Sequence, residues 1–207
     1  MIYESKHPLI KVKLSVLRDK NTPDKVFREV LDEITSFLTY EALIDIKTVK
    51  NGTIETPTGA TVDCYKINRD LVVLPILRAG IGMTGAIVRM LPTIKVGHIG
   101  LYRDAKTLTP IRYYYKMPHV KDAKILIVDP MIATGNSMID AINLVKQDGF
   151  KDITVIALIG APVGLENVTK HHPDVNIHLA AIDDGLNEYG YIVPGLGDAG
   201  DRIFGTK

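Results

Sequence analysis

The sequence predicts an α/β fold: a largely parallel sheet flanked by helices, with a small hairpin or hood region at one end. Three observations carry this prediction. Apolar runs at 71–77, 125–128, 153–159 and 175–182 have the length and β-branched composition of strands buried on both faces. Segments with apolar residues at helical spacing lie between them. Turn residues punctuate nearly every junction, as they do where strands alternate with helices around one sheet. A chain of 207 residues is long enough for one such domain with a substantial core, so 1–207 reads as a single domain.

Taken in order, Thr22-Pro23-Asp24 marks a helix start, with Thr22 as N-cap and Pro23 at the first helical position. Val26, Phe27, Val30, Leu31, Ile34, Phe37 and Leu38 then form one apolar face, which predicts a helix over 23–40. Asn51-Gly52 and Pro57-Thr58-Gly59 fall between β-branched runs and suggest antiparallel strands or a hairpin covering one end of the domain. The strand at 71–77 runs into Arg78-Ala79-Gly80-Ile81-Gly82-Met83-Thr84-Gly85 and a short helix that Pro92 ends. A third strand is expected over 96–102, with Arg103 at its end. The segment 104–118 follows, with Pro110 and Tyr113-Tyr114-Tyr115, and reads as a hairpin packed over a site. Beyond 125–128 come a loop, a helix to about Gln147, the strand 153–159, a helix from Pro162 to near His171-His172, and the strand 175–182. The tail from Gly185 is rich in glycine, but Tyr191, Ile192, Val193, Ile203 and Phe204 make it too apolar for disorder. It reads as an ordered loop whose backbone faces a ligand.

Composition removes several function classes. Lys and Arg number 25 against 24 Asp and Glu, so the net charge of +1 provides no global field for nucleic acid or an anionic membrane. Cys64 stands alone and cannot form an intrachain disulfide; the first ten residues lack the apolar run of a signal peptide, and a cytoplasmic location is expected. The longest apolar segment, 153–165, contains Gly160 and Pro162 and is shorter than the roughly 20 residues a membrane helix requires. None of the six histidines forms a pair at metal-ligand spacing on a helix, and His171-His172 suit a helix end where a cation meets the dipole. Asp183-Asp184 read as solvated turn residues before Gly185, because neighbouring strand residues face opposite ways.

The most informative stretch is 125–137, which ends Asp129-Pro130-Met131-Ile132-Ala133-Thr134-Gly135-Asn136-Ser137 and opens a helix. Small residues there allow backbone amides to gather around an anion at the positive end of the helix. Asp129 ends the strand at the mouth of the same loop, where its carboxylate would repel a phosphate but accept hydrogen bonds from sugar hydroxyls. A phosphorylated ribose satisfies both. No lysine follows the glycine, so a Walker-type nucleotide loop fits poorly. The alternative is an ordinary strand-to-helix turn with Ser137 as N-cap.

This stretch resembles the phosphoribosyl pyrophosphate motif of the phosphoribosyltransferases, in the form found in the uracil phosphoribosyltransferase family. The wider family places two acidic residues side by side, whereas Asp129 is followed by Pro130, a departure characteristic of the uracil branch. The likeness extends to Ser5-Lys6-His7-Pro8-Leu9, to the loop at Arg78 and to Tyr191-Ile192-Val193-Pro194-Gly195-Leu196-Gly197-Asp198-Ala199-Gly200-Asp201, and so covers essentially the whole chain. It implies a type I phosphoribosyltransferase-like fold and transfer of phosphoribosyl to uracil, giving UMP and pyrophosphate in pyrimidine salvage. Mg2+ would be carried by the sugar phosphate, with no metal site built by protein alone. By resemblance, 129–137 hold the phosphoribosyl group, Arg78 and Arg103 the leaving pyrophosphate, and Ile192, Gly197, Asp198 and Ala199 the uracil. Asp198 would organise both uracil and the metal-bound pyrophosphate, and a loop within 104–118 would cover the reacting ligands. The family also suggests a homodimer or larger homo-oligomer, and it leaves open activation by a purine nucleotide such as GTP.

Two rival readings come from other classes. Gly80, Gly82 and Gly85 match the dinucleotide fingerprint literally, with Asp104 near the spacing of a ribose-binding acid, which would suit an oxidoreductase. Against it, Arg78 rather than glycine follows the strand, and the second anion loop would go unused. An RNA-binding regulator on the same fold would want a basic face. Asn136 poses a separate question, since relatives commonly have glycine there: either the loop needs no positive φ at that position or asparagine supplies it.

Overall fold

A computed structural model describes residues 1–103 and 110–206, without the side chains of Tyr102, Arg103 and Pro110. The elements in chain order are β1 (Ile2–Glu4), α1 (Pro8–Arg18), α2 (Asp24–Ala42), β2 (Thr48–Glu55), β3 (Thr61–Ile67), β4 (Asp70–Leu77), α3 (Ile81–Met90), β5 (Lys95–Val96), β6 (His98–Arg103), β7 (Pro110–Lys116), β8 (Ala123–Val128), β9 (Met131–Ile132), α4 (Asn136–Gln147), β10 (Ile153–Gly160), α5 (Pro162–His171), β11 (Asn176–Ile182), β12 (Gly185–Leu186), β13 (Ile192–Val193) and α6 (Ala199–Phe204).

The main sheet runs β1-β11-β10-β8-β4-β6-β7, with β5 against β4 and β9 against β10. Its pairings are parallel except β6 with β7, which returns antiparallel as the hairpin expected in that region. The central strands carry the alternation that two covered faces demand. Leu126 and Val128 join Leu71 and Val73 in a core under α1, α2, α3 and α6, whereas Ile125 and Ile127 join Val72 and Leu74 under α4 and α5. All eight residues of β10 are buried.

The helix predicted over 23–40 is α2, but its start differs. Pro23 is the N-cap, and the Thr22 hydroxyl instead donates to the Val16 carbonyl at 2.6 Å, tying α2 back to α1. Asn51-Gly52 lies within β2 at a register shift between Lys50 and Thr53, and the hairpin turn falls between β2 and β3. The strand expected over 96–102 is broken at Gly97 into β5 and β6. Residues 104–109, which include Asp104 and much of the expected cover over the ligands, lie outside the described residues. Two expectations are corrected. His172 is buried, and burial together with nearby Lys146 holds its imidazole below the ordinary range, so it is no dipole-matched cation. Asp183 is not a solvated turn residue but is buried against Arg18.

Candidate active site

Neighbouring parallel strands bring the predicted residues to one end of the sheet. β4 pairs with β8 through Pro75 and Val128, so the loops that leave these two strands emerge side by side. Ligand sites of open α/β sheets form at such carboxyl ends. A cavity of about 880 Å³ lies at the opposite end, next to Arg69, Asp122 and Asp152 just before the starts of their strands. Two of its cations are matched: Arg69 pairs with Asp152 at 2.6 Å and Asp122 at 2.7 Å, and Lys124 pairs with Asp152 at 2.8 Å.

The loop Asp129 to Ser137 is more structured than the strand–loop–helix its sequence suggests. β8 stops at Val128, Asp129 and Pro130 interrupt it, and Met131–Ile132 resume as β9 beside Ile159 and Gly160 of β10. The Pro130 carbonyl accepts from the amides of Leu158 at 3.0 Å and Ile159 at 3.1 Å, which anchors the interruption to the sheet. Asp129 thus sits half-buried at a fixed kink, its Oδ1 3.5 Å from the Met131 amide.

Ala133, Thr134 and Gly135 then turn into α4. Gly135 caps this helix at φ +83, and a Cβ there would stand 2.6 Å from the Gly164 carbonyl, so both conformation and space require glycine. Asn136 is the first helical residue, and this answers the question about its backbone: the positive φ belongs to Gly135. Asn136 and Ser137 present amides in the first turn of α4, where four donors have no partner within a helix. The alternative in which Ser137 caps the helix does not hold, since Ser137 lies inside it.

Arg78 follows β4 across a cis Leu77–Arg78 peptide, with its side chain 62% exposed, and lies 4.0 Å from Asp201 and 5.9 Å from the Phe204 ring centroid. The glycines behind it have packing duties. A Cβ on Gly80 would meet the Val128 carbonyl at 2.4 Å, and one on Gly82 would meet Ile203 and Leu31 at 2.9 Å. Gly80 has φ −58, so the stretch that matches a dinucleotide fingerprint serves to seat α3 against β8, α2 and α6. Arg103 ends β6 opposite Pro110; its side chain, for which a pyrophosphate contact is expected, lies outside the described residues.

The tail is ordered, as expected. Ile192 and Val193 pair with Leu186 and Gly185, the Val193–Pro194 peptide is cis, and Asp198 caps α6 by accepting from the Asp201 amide at 3.0 Å. Gly197 has φ +77, and among the described residues neither its amide nor its carbonyl is hydrogen-bonded within the protein. Asp24, Tyr191, Asp198, Asp201 and Arg202 line a cavity of about 280 Å³ beside this tail. Gly200 approaches Ala79, and Asp201 approaches Arg78, which joins the tail to the loop after β4.

Some supporting residues carry no motif and escape sequence reasoning. Asn167 of α5 donates to the Thr134 carbonyl at 3.0 Å and to Asn136 Oδ1 at 3.1 Å. Arg202 donates to the carbonyls of Leu17, Leu196 and Asp19 and stacks over the Phe27 ring at 4.3 Å. Partial burial pushes its guanidinium below the ordinary value, partly countered by Asp19 and Asp24. Three bonds to backbone carbonyls are the compensation such burial requires.

The sequence model of the family described as uracil phosphoribosyltransferase matches residues 4–206. A uracil phosphoribosyltransferase of Halalkalibacterium halodurans is 50% identical over 207 residues, 100% of this chain and 99% of that one. A solved structure of a protein from Aquifex aeolicus superposes with TM-score 0.92 at 35% identity, covering 99% of this chain and 98% of its own. An adenine phosphoribosyltransferase from Trypanosoma brucei has TM-score 0.59 at 14% identity over 91% of this chain and 86% of its own, a likeness of fold alone.

Proposed function

The chain belongs to the uracil phosphoribosyltransferase family, and from that premise we propose that it transfers phosphoribosyl from 5-phosphoribosyl 1-pyrophosphate to uracil, yielding UMP and pyrophosphate. One observation carries the assignment of residues: the Asp129–Ser137 loop, Arg78 and the glycine-rich tail meet at the carboxyl end of the same sheet. An anion cradle, a diol acceptor, an exposed cation and an exposed backbone edge suit the successive parts of the two substrates.

The residues divide the work as follows. The amides of Ala133 to Ser137, with the Thr134 and Ser137 hydroxyls, hold the 5′-phosphate at the N-terminus of α4. Asp129 accepts from the ribose hydroxyls. In the reaction the bond from the anomeric carbon to pyrophosphate breaks and a bond to uracil N1 forms, with the N1 proton lost. Arg78 meets negative charge as it grows on the departing pyrophosphate, the situation in which a placed cation contributes most. Arg103 is proposed for the same task. The tail from Ile192 to Ala199 presents backbone groups to the uracil edge, and Asp198 stands between base and pyrophosphate. No covalent nucleophile is needed, because the sugar carbon is already activated by its leaving group.

The donor set suits magnesium brought in on the substrate. Asp198 offers carboxylate oxygen beside the acid-lined cavity, and magnesium keeps most of its water and phosphate ligands while taking one or two protein carboxylates. Bound there, the ion would supply positive charge against the pyrophosphate. The assay supplies uracil, phosphoribosyl pyrophosphate and magnesium and follows UMP. Product formation that requires all three is expected; turnover with adenine or hypoxanthine in place of uracil would overturn the base assignment.

A further inference from the structure

β11 ends at Ile182, and the next residue, Asp183, is 5% exposed, the one buried carboxylate residue among those described. Its Oδ1 accepts from Arg18 Nη2 at 2.5 Å, and its Oδ2 accepts from Arg18 Nη1 at 2.8 Å and from the Gly195 amide at 2.9 Å. The same Arg18 Nη1 donates to the Gly195 carbonyl at 2.7 Å. Gly195 is therefore held at both ends of its own backbone, the amide by the carboxylate and the carbonyl by the guanidinium. One residue on, Arg202 claims the Leu196 carbonyl at 2.8 Å. Gly197 comes next, and among the described residues its backbone makes no hydrogen bond to the protein, before Asp198 resumes them by accepting from the Asp201 and Arg202 amides.

We infer that Arg18 and Asp183 are positioning residues for base selection, which fix the Gly195 peptide so that the backbone at Gly197 to Ala199 points at the uracil edge. The inference rests on the proposal that this tail is the base pocket. Stability alone is a weak reason for such a pair, because a buried ion pair is often matched or exceeded by apolar residues of similar volume. A bidentate arginine–carboxylate pair supplies fixed orientation, which a backbone-reading pocket needs. Uracil and cytosine differ by an acceptor–donor exchange along one edge. Rejection of the wrong base by unpaired donors and acceptors works only if those backbone groups cannot swing to suit it. Arg18 belongs to the last turn of α1, far away in sequence, so the pocket's geometry is set from outside the pocket.

The experiment compares three variants of the full chain by steady-state kinetics and thermal unfolding. Arg18→Lys keeps the charge but cannot span Asp183 and the Gly195 carbonyl in one planar fork. It is expected to raise KM for uracil about tenfold and to narrow the uracil-over-cytosine ratio of kcat/KM similarly, with KM for phosphoribosyl pyrophosphate within about twofold. The double variant Arg18→Met with Asp183→Asn removes both charges and keeps an acceptor for the Gly195 amide. It is expected to unfold within a few degrees of the parent and still lose selectivity. A stable double variant with parental uracil KM and parental discrimination would overturn the inference, as would equal rises in KM for both substrates. Gly197→Val separates the two levels. If it too spares uracil use, the base pocket lies elsewhere; if it abolishes uracil use while the Arg18 variants behave as the parent, only the positioning role falls.

Discussion

The phosphate loop and the base loop hold opposite ends of the proposed reaction, and they are built in opposite ways. The phosphate loop is contiguous in sequence: Asp129 to Ser137 supply its carboxylate, amides and hydroxyls, and the β9 pairing with β10 sets its shape. The base loop is held largely by residues outside it. Its cis Pro194 turn is held by Asp183, by Arg18 at the end of α1 and by Arg202 of α6, which also reaches Leu17 and Asp19. A charge-dense ligand is gripped by local backbone at a helix end, where the field is strong whatever surrounds it. A neutral planar base offers only the direction of its donors and acceptors, and direction must be enforced by the rest of the fold.

The largest effect should come from the base side. Gly197→Val is expected to lower uracil use by about 10⁴ while phosphoribosyl pyrophosphate still binds, because the backbone groups proposed to face the uracil edge lose their aim. The structure refines the reason. A Cβ at Gly197 has room, its nearest neighbour being Arg202 Cδ at 3.8 Å, so the damage comes from φ +77 and from side-chain bulk facing the base. Gly197→Asn, which tolerates the left-handed region, should retain far more activity than valine. Equal losses in the two variants, measured as kcat/KM for uracil, would show that space rather than backbone angle governs the pocket.

Next comes Arg78→Ala, expected to lower turnover by about 3 kcal/mol, roughly a hundredfold, with a smaller change in uracil affinity. Arg78 leans toward Asp201 and Phe204 of the tail but belongs to the loop after β4, so it joins the two regions. Turnover within a factor of two of the parent would remove it from the pyrophosphate site.

These two regions also mark how far the sequence can be read. The buried strands, α2, the β6–β7 hairpin and the strand–loop–helix at Asp129 to Ser137 were legible because each follows from neighbours in the chain: alternation, helical spacing, small residues before a helix. Arg78 was legible as a cation at a strand exit. Two details were missed because distant partners decided them. Thr22 turns its hydroxyl to Val16, and the loop after β8 returns to the sheet as β9 with Pro130 bonded to β10, whereas the β2–β3 hairpin read from Asn51-Gly52 and Pro57-Thr58-Gly59 is there, with its turn at the second group. Asp183 was misread because nothing adjacent to it reveals Arg18, and Asn167 and Arg202 carry no local signature at all.

Asp129→Asn tests the phosphate side more gently. A neutral amide accepts less strongly from the ribose hydroxyls than a carboxylate does, while the Thr134 loop stays as it is. Calorimetry should show phosphoribosyl pyrophosphate and ribose 5-phosphate weakened about tenfold, with inorganic phosphate nearly unchanged. Equal losses for all three ligands would mean that the kink between β8 and β9 had been deformed.

The smallest expected effect, Asn167→Ala, bears most directly on the claim that the phosphate loop is self-sufficient. Asn167 is the side chain from another element that reaches this loop most plainly, with one amide nitrogen shared between the Thr134 carbonyl and Asn136 Oδ1. If β9, Gly135 and the start of α4 already fix the loop, losing that nitrogen removes one ordinary hydrogen bond at a half-exposed place, about 1 kcal/mol. KM for phosphoribosyl pyrophosphate should then rise about fivefold, with uracil KM unchanged and the unfolding temperature lowered only slightly. The base loop supplies the contrast, since Arg18→Lys there should cost more although it preserves a charge. A hundredfold loss of phosphoribosyl pyrophosphate affinity in Asn167→Ala would show that the phosphate loop, too, is held from outside, and the distinction between a local and a distributed half of the site would fail.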